Sequence, residues 1–176
     1  LLRKSDGFLR RYATSGNLIY SGVLGGSDAD SIADTALDAF GNLYISGNCG
    51  SFNFPRTRGA FSELMAPGQI FVTKLNAAGN QIIYSTAMNS SGASTAAIKV
   101  DSRGNAYIGG TFSTTNPPGV PLTSDAIDTQ YNPPPPLGFH GEGFFTVLNS
   151  TGTGLIFSTY IGNNQQLPLI PGNDFV

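Results

Sequence analysis

The fold of this chain is decided by a stretch that occurs three times, and its middle copy reads QIFVTKLNAAGNQIIYST, residues 69–86. The other copies lie at residues 6–21 and 142–159. Self-similarity at a fixed period is the mark of an array of like structural units. Three phenylalanines hold the same position in the copies, at spacings of 71 − 8 = 63 and 144 − 71 = 73 residues: Phe8, Phe71 and Phe144.

A second block repeats inside the same period. ALDAFGNLYISG at residues 36–47 matches KVDSRGNAYIGG at residues 99–110, with Asp38 and Asp101 again 63 residues apart. The longer second spacing comes from an insertion that holds Pro117-Pro118 and the stretch 132–138. Because proline cannot donate to a strand ladder, we expect the insertion to be a loop.

Each block predicts a β-hairpin. Side chains alternate along a strand, so Phe8, Arg10 and Tyr12 point to one side of the first strand and the residues between them to the other. Turns follow where Gly, Asn and Asp tolerate positive φ or bond their own backbone. Two hairpins per repeat give four strands per repeat. The predicted strands lie near 7–13, 17–24, 33–38, 42–48, 70–76, 81–87, 96–101, 105–112, 143–149 and 154–161.

Short antiparallel strands in fours, recurring every 63 to 73 residues, favour an all-β fold built from β-propeller blades. A sandwich or solenoid is the alternative. We expect one domain over 1–176, with repeat units at about 6–68, 69–141 and a partial unit at 142–176. Propellers close with typically four to eight blades. About two and a half blades would form an incomplete propeller, whose open faces should favour association or loose packing when the chain is expressed alone.

The apolar positions of the repeat are expected to be buried within or between blades. They alternate along the predicted strands and recur from one copy to the next. This predicts that the following side chains are covered: Phe8, Tyr20, Leu37, Ile45, Phe71, Leu75, Ile83, Val100, Ile108, Phe144 and Leu148.

These blocks resemble the bacterial SBBP repeat, a β-propeller-type repeat. Its D-x-x-G-N-x-Y-x-x-G element is similar to residues 38–47 and its F-P-x-x-x-G-A-F element to 54–61. Its D-x-F-V-x-K-L-x-x-x-G element is similar to residues 70–79, and its Y-S-T-x-x-G-G element to the stretch that begins at 84–86. The second linker, 120–127, is degenerate, and Met88-Asn89 replaces a glycine pair. The resemblance implies a secreted or cell-surface protein that is often modular, and it implies no reaction.

Composition excludes several classes of function. Charged residues make up 11% of the chain and the net charge is −2, so no basic surface for nucleic acid is expected. No stretch approaches the roughly 20 apolar residues of a membrane helix, so membrane insertion is not expected. A lone Cys49 allows neither an internal disulfide nor a cysteine-built zinc site.

The candidate sites are few. Asp28 and Asp30 lie two residues apart in a glycine-rich turn and are the weak calcium candidates, although two carboxylates are few for an ion that takes six to eight oxygens. Turn structure is the favoured interpretation. The one histidine, His140, has no linked nucleophile or carboxylate motif. Pro133–Pro136 could dock an aromatic groove, but a plain loop explains it as well.

Two classes of function therefore stand against each other. The favoured one is a non-enzymatic extracellular module, without a cofactor, that acts as a scaffold or binding and adhesion surface for a protein or a glycan, or for the remainder of its own propeller. The alternative is part of a secreted propeller lyase or hydrolase whose active site lies outside this segment. An enzyme of that kind would need clustered carboxylates, His or Arg on the loops of one face, and the acidic residues here are thinly spread. Binding is therefore favoured, and no catalytic residue is predicted.

Overall fold

The structure, a computed structural model, describes residues 5–64, 66–88, 90, 92–112, 119–131 and 142–162. Within these residues the chain forms strands and no helix, which confirms the all-β prediction. All ten predicted strands are confirmed, with ends that differ by three residues or fewer. Their bounds are β1 Gly7–Tyr12, β2 Leu18–Leu24, β3 Ser31–Leu37, β4 Leu43–Cys49, β5 Gln69–Leu75, β6 Ile82–Ala87, β7 Ala93–Val100, β8 Ala106–Phe112, β9 Gly143–Leu148 and β10 Leu155–Ile161.

The strands form three antiparallel groups. β1 and β2 pair as a hairpin, β3 to β6 form a four-stranded sheet in chain order, and β7 to β10 form a second such sheet. We call these groups the hairpin, the first sheet and the second sheet. Each sheet is a meander, because every strand pairs with the next strand in the sequence.

The sheets do not begin where the sequence units at about 6–68 and 69–141 begin. The first sheet takes β3 and β4 from one unit and β5 and β6 from the next. A repeat has a period but no preferred starting point, so the sequence leaves the phase open. The phase is decided by the pairing of β4 with β5 across the connection 50–68.

Tight turns join the hairpin strands within each sheet. The Asp38 carboxylate accepts the backbone N–H groups of Phe40 at 3.0 Å and Asn42 at 2.9 Å. Gly41 takes a φ of 81° in this turn, which glycine adopts at little cost. The Asp101 turn repeats these bonds. The sequence motif thus closes β3 on β4 and β7 on β8 in the same way.

Two apolar layers hold the three groups together. One lies between the hairpin and the first sheet and contains Leu24, Ile45, Cys49, Phe54, Phe71 and Ala87. The other lies between the first and second sheets, where the first sheet contributes Tyr44, Ile70, Val72, Tyr84 and Met88 and the second contributes Ala93, Ile98, Ala106, Ile108, Phe112, Phe144, Leu148 and Tyr160. The molecule is therefore a stack in which each group covers one face of the next.

Eight of the predicted core positions are covered. Five are buried, namely Ile45, Phe71, Ile108, Phe144 and Leu148, and three are half-buried, namely Tyr20, Leu75 and Val100. The prediction was wrong for Phe8, Leu37 and Ile83, which are exposed.

The three errors have different physical causes. Phe8 is the counterpart of the covered Phe71, but it lies on the face of the hairpin against which no described group stacks. Leu37 is the counterpart of Val100 and faces the hairpin, where it lines an open gap with Leu9 and Tyr12, because the hairpin has two strands and the sheet beside it has four. Ile83 lies on edge strand β6, on the side opposite Tyr84. Its counterparts in the other two copies, Ile19 and Ile156, are equally exposed, so this position belongs to the surface in every copy.

Candidate functional site

The stack has two unlike ends. Antiparallel pairing puts the five tight turns, near residues 16, 40, 79, 103 and 152, at one end, and the longer connections at the other. We call these the turn end and the connection end. Of the described residues, the connection end carries 25–30, 50–64, 66–68 and 119–131. Long connections on a rigid stack are where binding residues usually lie.

Asp30 anchors two loops of the connection end. It is buried, and its carboxylate accepts hydrogen bonds from the Gly26 N–H at 2.7 Å, the Gly50 N–H at 2.8 Å and the Ser51 hydroxyl at 2.7 Å. The Asp28 N–H donates to the Ser51 hydroxyl at 2.8 Å. The carboxylate therefore ties the connection 25–30 to the start of the connection 50–68.

These contacts bear on the calcium hypothesis. A cation site presents oxygen lone pairs, whereas the atoms that face the Asp30 carboxylate are N–H and O–H donors. The part of the chain that the structure describes contains no group of three or more His, Cys, Asp or Glu residues placed to hold a metal ion. The observed contacts agree with the favoured interpretation, a turn that Asp30 holds in place.

The two linkers of the connection end run along the outer strands. Thr57 exchanges hydrogen bonds with Ser85 on β6: its N–H donates to the Ser85 carbonyl at 3.1 Å, and the Ser85 N–H donates to its hydroxyl at 3.0 Å. Thr123 and Ser158 on β10 repeat the pattern at 3.3 and 3.0 Å. The linker that looked degenerate in sequence therefore makes the same contacts as the first.

The turn end holds a polar cluster between the first and second sheets. The Tyr44 hydroxyl donates to the Gly104 carbonyl at 3.0 Å. The Lys74 ammonium lies 3.7 Å from the Asp38 carboxylate and 4.7 Å from the centre of the Tyr44 ring. The residue at the same repeat position on the hairpin is Arg11, whose side chain donates to the Gly41 carbonyl at 2.6 Å. On the second sheet this position is Val147, which has no charge. The cluster links consecutive groups of the stack.

Proton affinities in this cluster suit a structural role. Burial raises the pKa of the Tyr44 hydroxyl far above its ordinary value, and the neighbouring Asp38 carboxylate adds to the rise. Burial alone would also raise the pKa of Asp38, but hydrogen bonds from Asn42 and Phe40 and the nearby Lys74 lower it below its ordinary value. At neutral pH the tyrosine is protonated and the aspartate is ionised.

An open apolar groove of about 410 Å³ lies on the outer face of the second sheet. Phe145 and Phe157 form its floor with ring centres 6.3 Å apart, and Ile127 and Ile161 form its rim. Ile127 is 85% exposed. These residues have counterparts in or beside the first sheet, where they contribute to the layer against the second sheet. Phe145 corresponds to Val72, Phe157 to Tyr84, Ile127 to Phe61 and Ile161 to Met88.

Sequence reasoning did not find this groove. Ile127 falls in the linker 120–127, which matched the repeat only poorly, and Phe145 and Phe157 look like ordinary strand positions. Aligning that linker with residues 54–61 would have placed Ile127 opposite Phe61, whose backbone N–H donates to the Gly152 carbonyl at 2.7 Å. The repeat was therefore the feature of the sequence that could have indicated this groove.

The remaining candidates contribute little to this surface. Cys49 is buried, and its thiol donates to the Ser51 carbonyl at 3.0 Å. Burial raises the pKa of the Cys49 thiol to about 11, so the reactive thiolate is scarce at neutral pH. His140 and Pro133–Pro136 lie outside the described residues.

Comparison of the sequence with models of known protein families and with curated proteins gave no match in either case. The described residues also include no helix with the length and apolar character needed to cross a membrane. The repeat, the stacking of the sheets and the two ends of the stack are therefore the features of the chain that bear on its function.

Proposed function

We propose that this chain is part of a β-propeller that acts, outside the cell or on its surface, as a non-enzymatic scaffold that binds a protein or a glycan. In this proposal the first and second sheets are two blades and the hairpin is half of a third. Resemblance to the SBBP repeat supports the extracellular location, as does a composition poor in charge and rich in Ser, Thr and Asn.

The observation that carries the proposal is a contact made identically at both interfaces of the stack. A Cβ atom at Gly79 would fall 2.5 Å from the ring of Tyr20, and a Cβ atom at Gly152 would fall 2.5 Å from the ring of Tyr84. Each glycine belongs to the turn between the third and fourth strands of its sheet. The same contact therefore joins the hairpin to the first sheet and the first sheet to the second, which is what units repeated around an axis would show.

We place the binding surface at the connection end. Phe52 is 68% exposed and lies in the connection 50–68, which Asp30 and Thr57 hold against the stack. Leu64, in the same connection, is also exposed. An exposed aromatic on a braced loop offers a large contact area at a small cost in conformational entropy.

A binding screen on the purified chain tests the proposal. The chain is applied to a glycan array and to a panel of purified extracellular glycoproteins, and Phe52→Ser is compared with Phe40→Ser. Phe40 is 82% exposed at the turn end, so it matches Phe52 in chemistry and exposure. We expect a ligand whose binding Phe52→Ser weakens at least tenfold and Phe40→Ser leaves unchanged.

Two results would count against this function. Equal loss of binding in both variants would remove the connection end as the binding surface. Cleavage of a bound glycan by the wild-type chain would replace the non-enzymatic scaffold with the alternative, a secreted propeller lyase or hydrolase.

A further inference from the structure

We infer that the groove on the second sheet is a socket for the β1–β2 hairpin of a second copy of this chain, which docks head to tail and places its Gly16 turn on Phe157. The inference goes beyond the proposed binding function. It rests on a packing contact between a turn glycine and an aromatic ring that one chain already makes twice. It rests also on one such glycine and one such ring that remain uncovered.

One side of the contact is a turn glycine whose backbone lies in the left-handed region. Gly16, Gly79 and Gly152 have φ values of 84°, 70° and 72°, and each donates its N–H to the carbonyl three residues earlier. Gly79 packs on Tyr20 and Gly152 on Tyr84. A Cβ atom at Gly16 would meet nothing within 4 Å, and its turn is one residue shorter than the other two.

The other side of the contact is an aromatic ring on the last strand of the neighbouring group: β2, β6 or β10. Tyr20, Tyr84 and Phe157 are counterparts, since each is paired across its hairpin with the same position: Arg11, Lys74 and Val147. The first two rings lie under a glycine turn. Phe157 instead forms the floor of the open groove. One chain thus carries an uncovered turn glycine on the hairpin, the first group of the stack, and an uncovered ring on the outer face of the second sheet, the last group.

The surfaces around the two partners also match. On the hairpin, Phe8, Tyr12 and Val23 are exposed, and they correspond to Phe144, Leu148 and Tyr160, which the second sheet buries against the first. On the groove, Phe145 and Ile161 correspond to Val72 and Met88, which the first sheet buries in the same layer. The hairpin face therefore presents the chemistry that the groove face already accepts elsewhere.

This contact joins two different surfaces, so it is heterologous and each added copy leaves one surface free. Assembly should continue past the dimer, and it ends only if the rotation per copy closes a ring. A symmetric dimer through two grooves or two hairpins would not place a glycine turn on Phe157.

A mixing experiment tests the direction of the contact. In the groove variant, Ile127→Asp and Ile161→Asp place charges on two exposed rim residues. In the hairpin variant, Phe8→Asp and Val23→Lys are directly paired across β1 and β2, so their charges offset each other within the hairpin. Phe40→Asp at the turn end is the control. Circular dichroism first establishes that all variants keep the wild-type strand content and melting profile.

The masses are then measured by sedimentation velocity over a wide concentration range, against the 18.4 kDa monomer. We expect the wild type and Phe40→Asp to grow past the dimer, each face variant to remain a monomer, and an equal mixture of the two variants to form a dimer and nothing larger. A monomeric wild type, a groove variant that assembles like the wild type, or a mixture that stays monomeric would overturn the inference. The glycan and glycoprotein screen with Phe52→Ser tests the connection end and not the outer faces of the hairpin and the second sheet, so the two proposals can fail separately.

Discussion

Gly152 on the second sheet lies so close to Tyr84 on the first that no side chain fits between them: a Cβ atom at Gly152 would fall 2.5 Å from the tyrosine ring. Gly152 also has a φ of 72°. Two demands therefore meet at one residue, a left-handed backbone for the turn and a bare surface for the neighbouring sheet.

Gly152→Ala is expected to destabilise the protein by about 2–5 kcal/mol. The left-handed backbone costs a side-chain-bearing residue about 1–2 kcal/mol, and forcing the Tyr84 ring aside adds roughly 1–3 kcal/mol. Gly59→Ala is the matched control, because Gly59 has a φ of 78° and open space around its Cβ position. Chemical denaturation of both variants measures the difference. Equal destabilisation would show that backbone strain alone explains Gly152.

Phe71→Ala should cost roughly 3–5 kcal/mol. The Phe71 side chain is fully buried, and its ring centre lies 4.3 Å from that of Phe54. Phe8→Ala is its control at the same repeat position, where the side chain is 65% exposed, and it should cost about 0.5 kcal/mol or less in a monomeric sample. The measurement is equilibrium unfolding in urea. A loss below about 1 kcal/mol for Phe71→Ala would make this ring peripheral to folding.

A buried hydroxyl pair braces each sheet at its linker. The Ser85 hydroxyl donates to the Pro55 carbonyl at 2.7 Å, so the Thr73 hydroxyl must donate the 2.8 Å bond between Thr73 and Ser85. Ser85→Ala removes one partner from each of two buried groups and should cost about 2–3 kcal/mol. Adding Thr73→Val should recover about 1 kcal/mol, because it removes the orphaned hydroxyl. A double-mutant cycle with strictly additive losses would contradict the shared bond.

Acid should destabilise the protein through Asp38. Its pKa in the folded chain lies below the ordinary value of 3.8 because hydrogen bonds from Asn42 and Phe40 and the charge of Lys74 outweigh the effect of burial. Its contribution to stability is therefore complete above the unfolded pKa and is lost as the pH falls through the folded pKa. Between pH 5 and pH 2, Asp38→Asn should lose stability less steeply than the wild type in urea titrations. If the free energy of unfolding fell equally steeply with pH in both proteins, Asp38 would not be a cause of the acid destabilisation.

Cys49 should resist alkylation while the protein is folded. Cys49 is 2% exposed, and burial raises the pKa of its thiol to about 11, so the thiolate is depleted and also inaccessible. Iodoacetamide should therefore modify Cys49 only as fast as the protein opens, with a sharp increase at the urea midpoint. Modification in native buffer at the rate of the unfolded chain would show that the layer between the hairpin and the first sheet is open.

Much of the connection end could be anticipated, but not the roles of its residues. The glycine-rich run and its two aspartates marked residues 25–30 as a turn, and turn structure was the favoured interpretation of Asp28 and Asp30. That Asp30 reaches Gly50 and Ser51 could not be deduced, because those residues lie twenty positions away along the chain. Ile127 was hidden for the opposite reason: its linker keeps the contacts of the first linker while changing most of its side chains.

The period, the ten strands and the turns can be deduced from the sequence, because each depends on residues that are close together in the chain: alternating apolar positions, Asp-x-x-Gly-Asn motifs and turn glycines. Which strands share a sheet, and which apolar side chains are covered, depends on contacts between residues that are far apart in the chain. Phe8 and Phe71 stand at the same position of the repeat, yet one is exposed and the other is buried. The difference lies in the neighbour that stacks against each of them, and burial depends on that neighbour rather than on the local pattern.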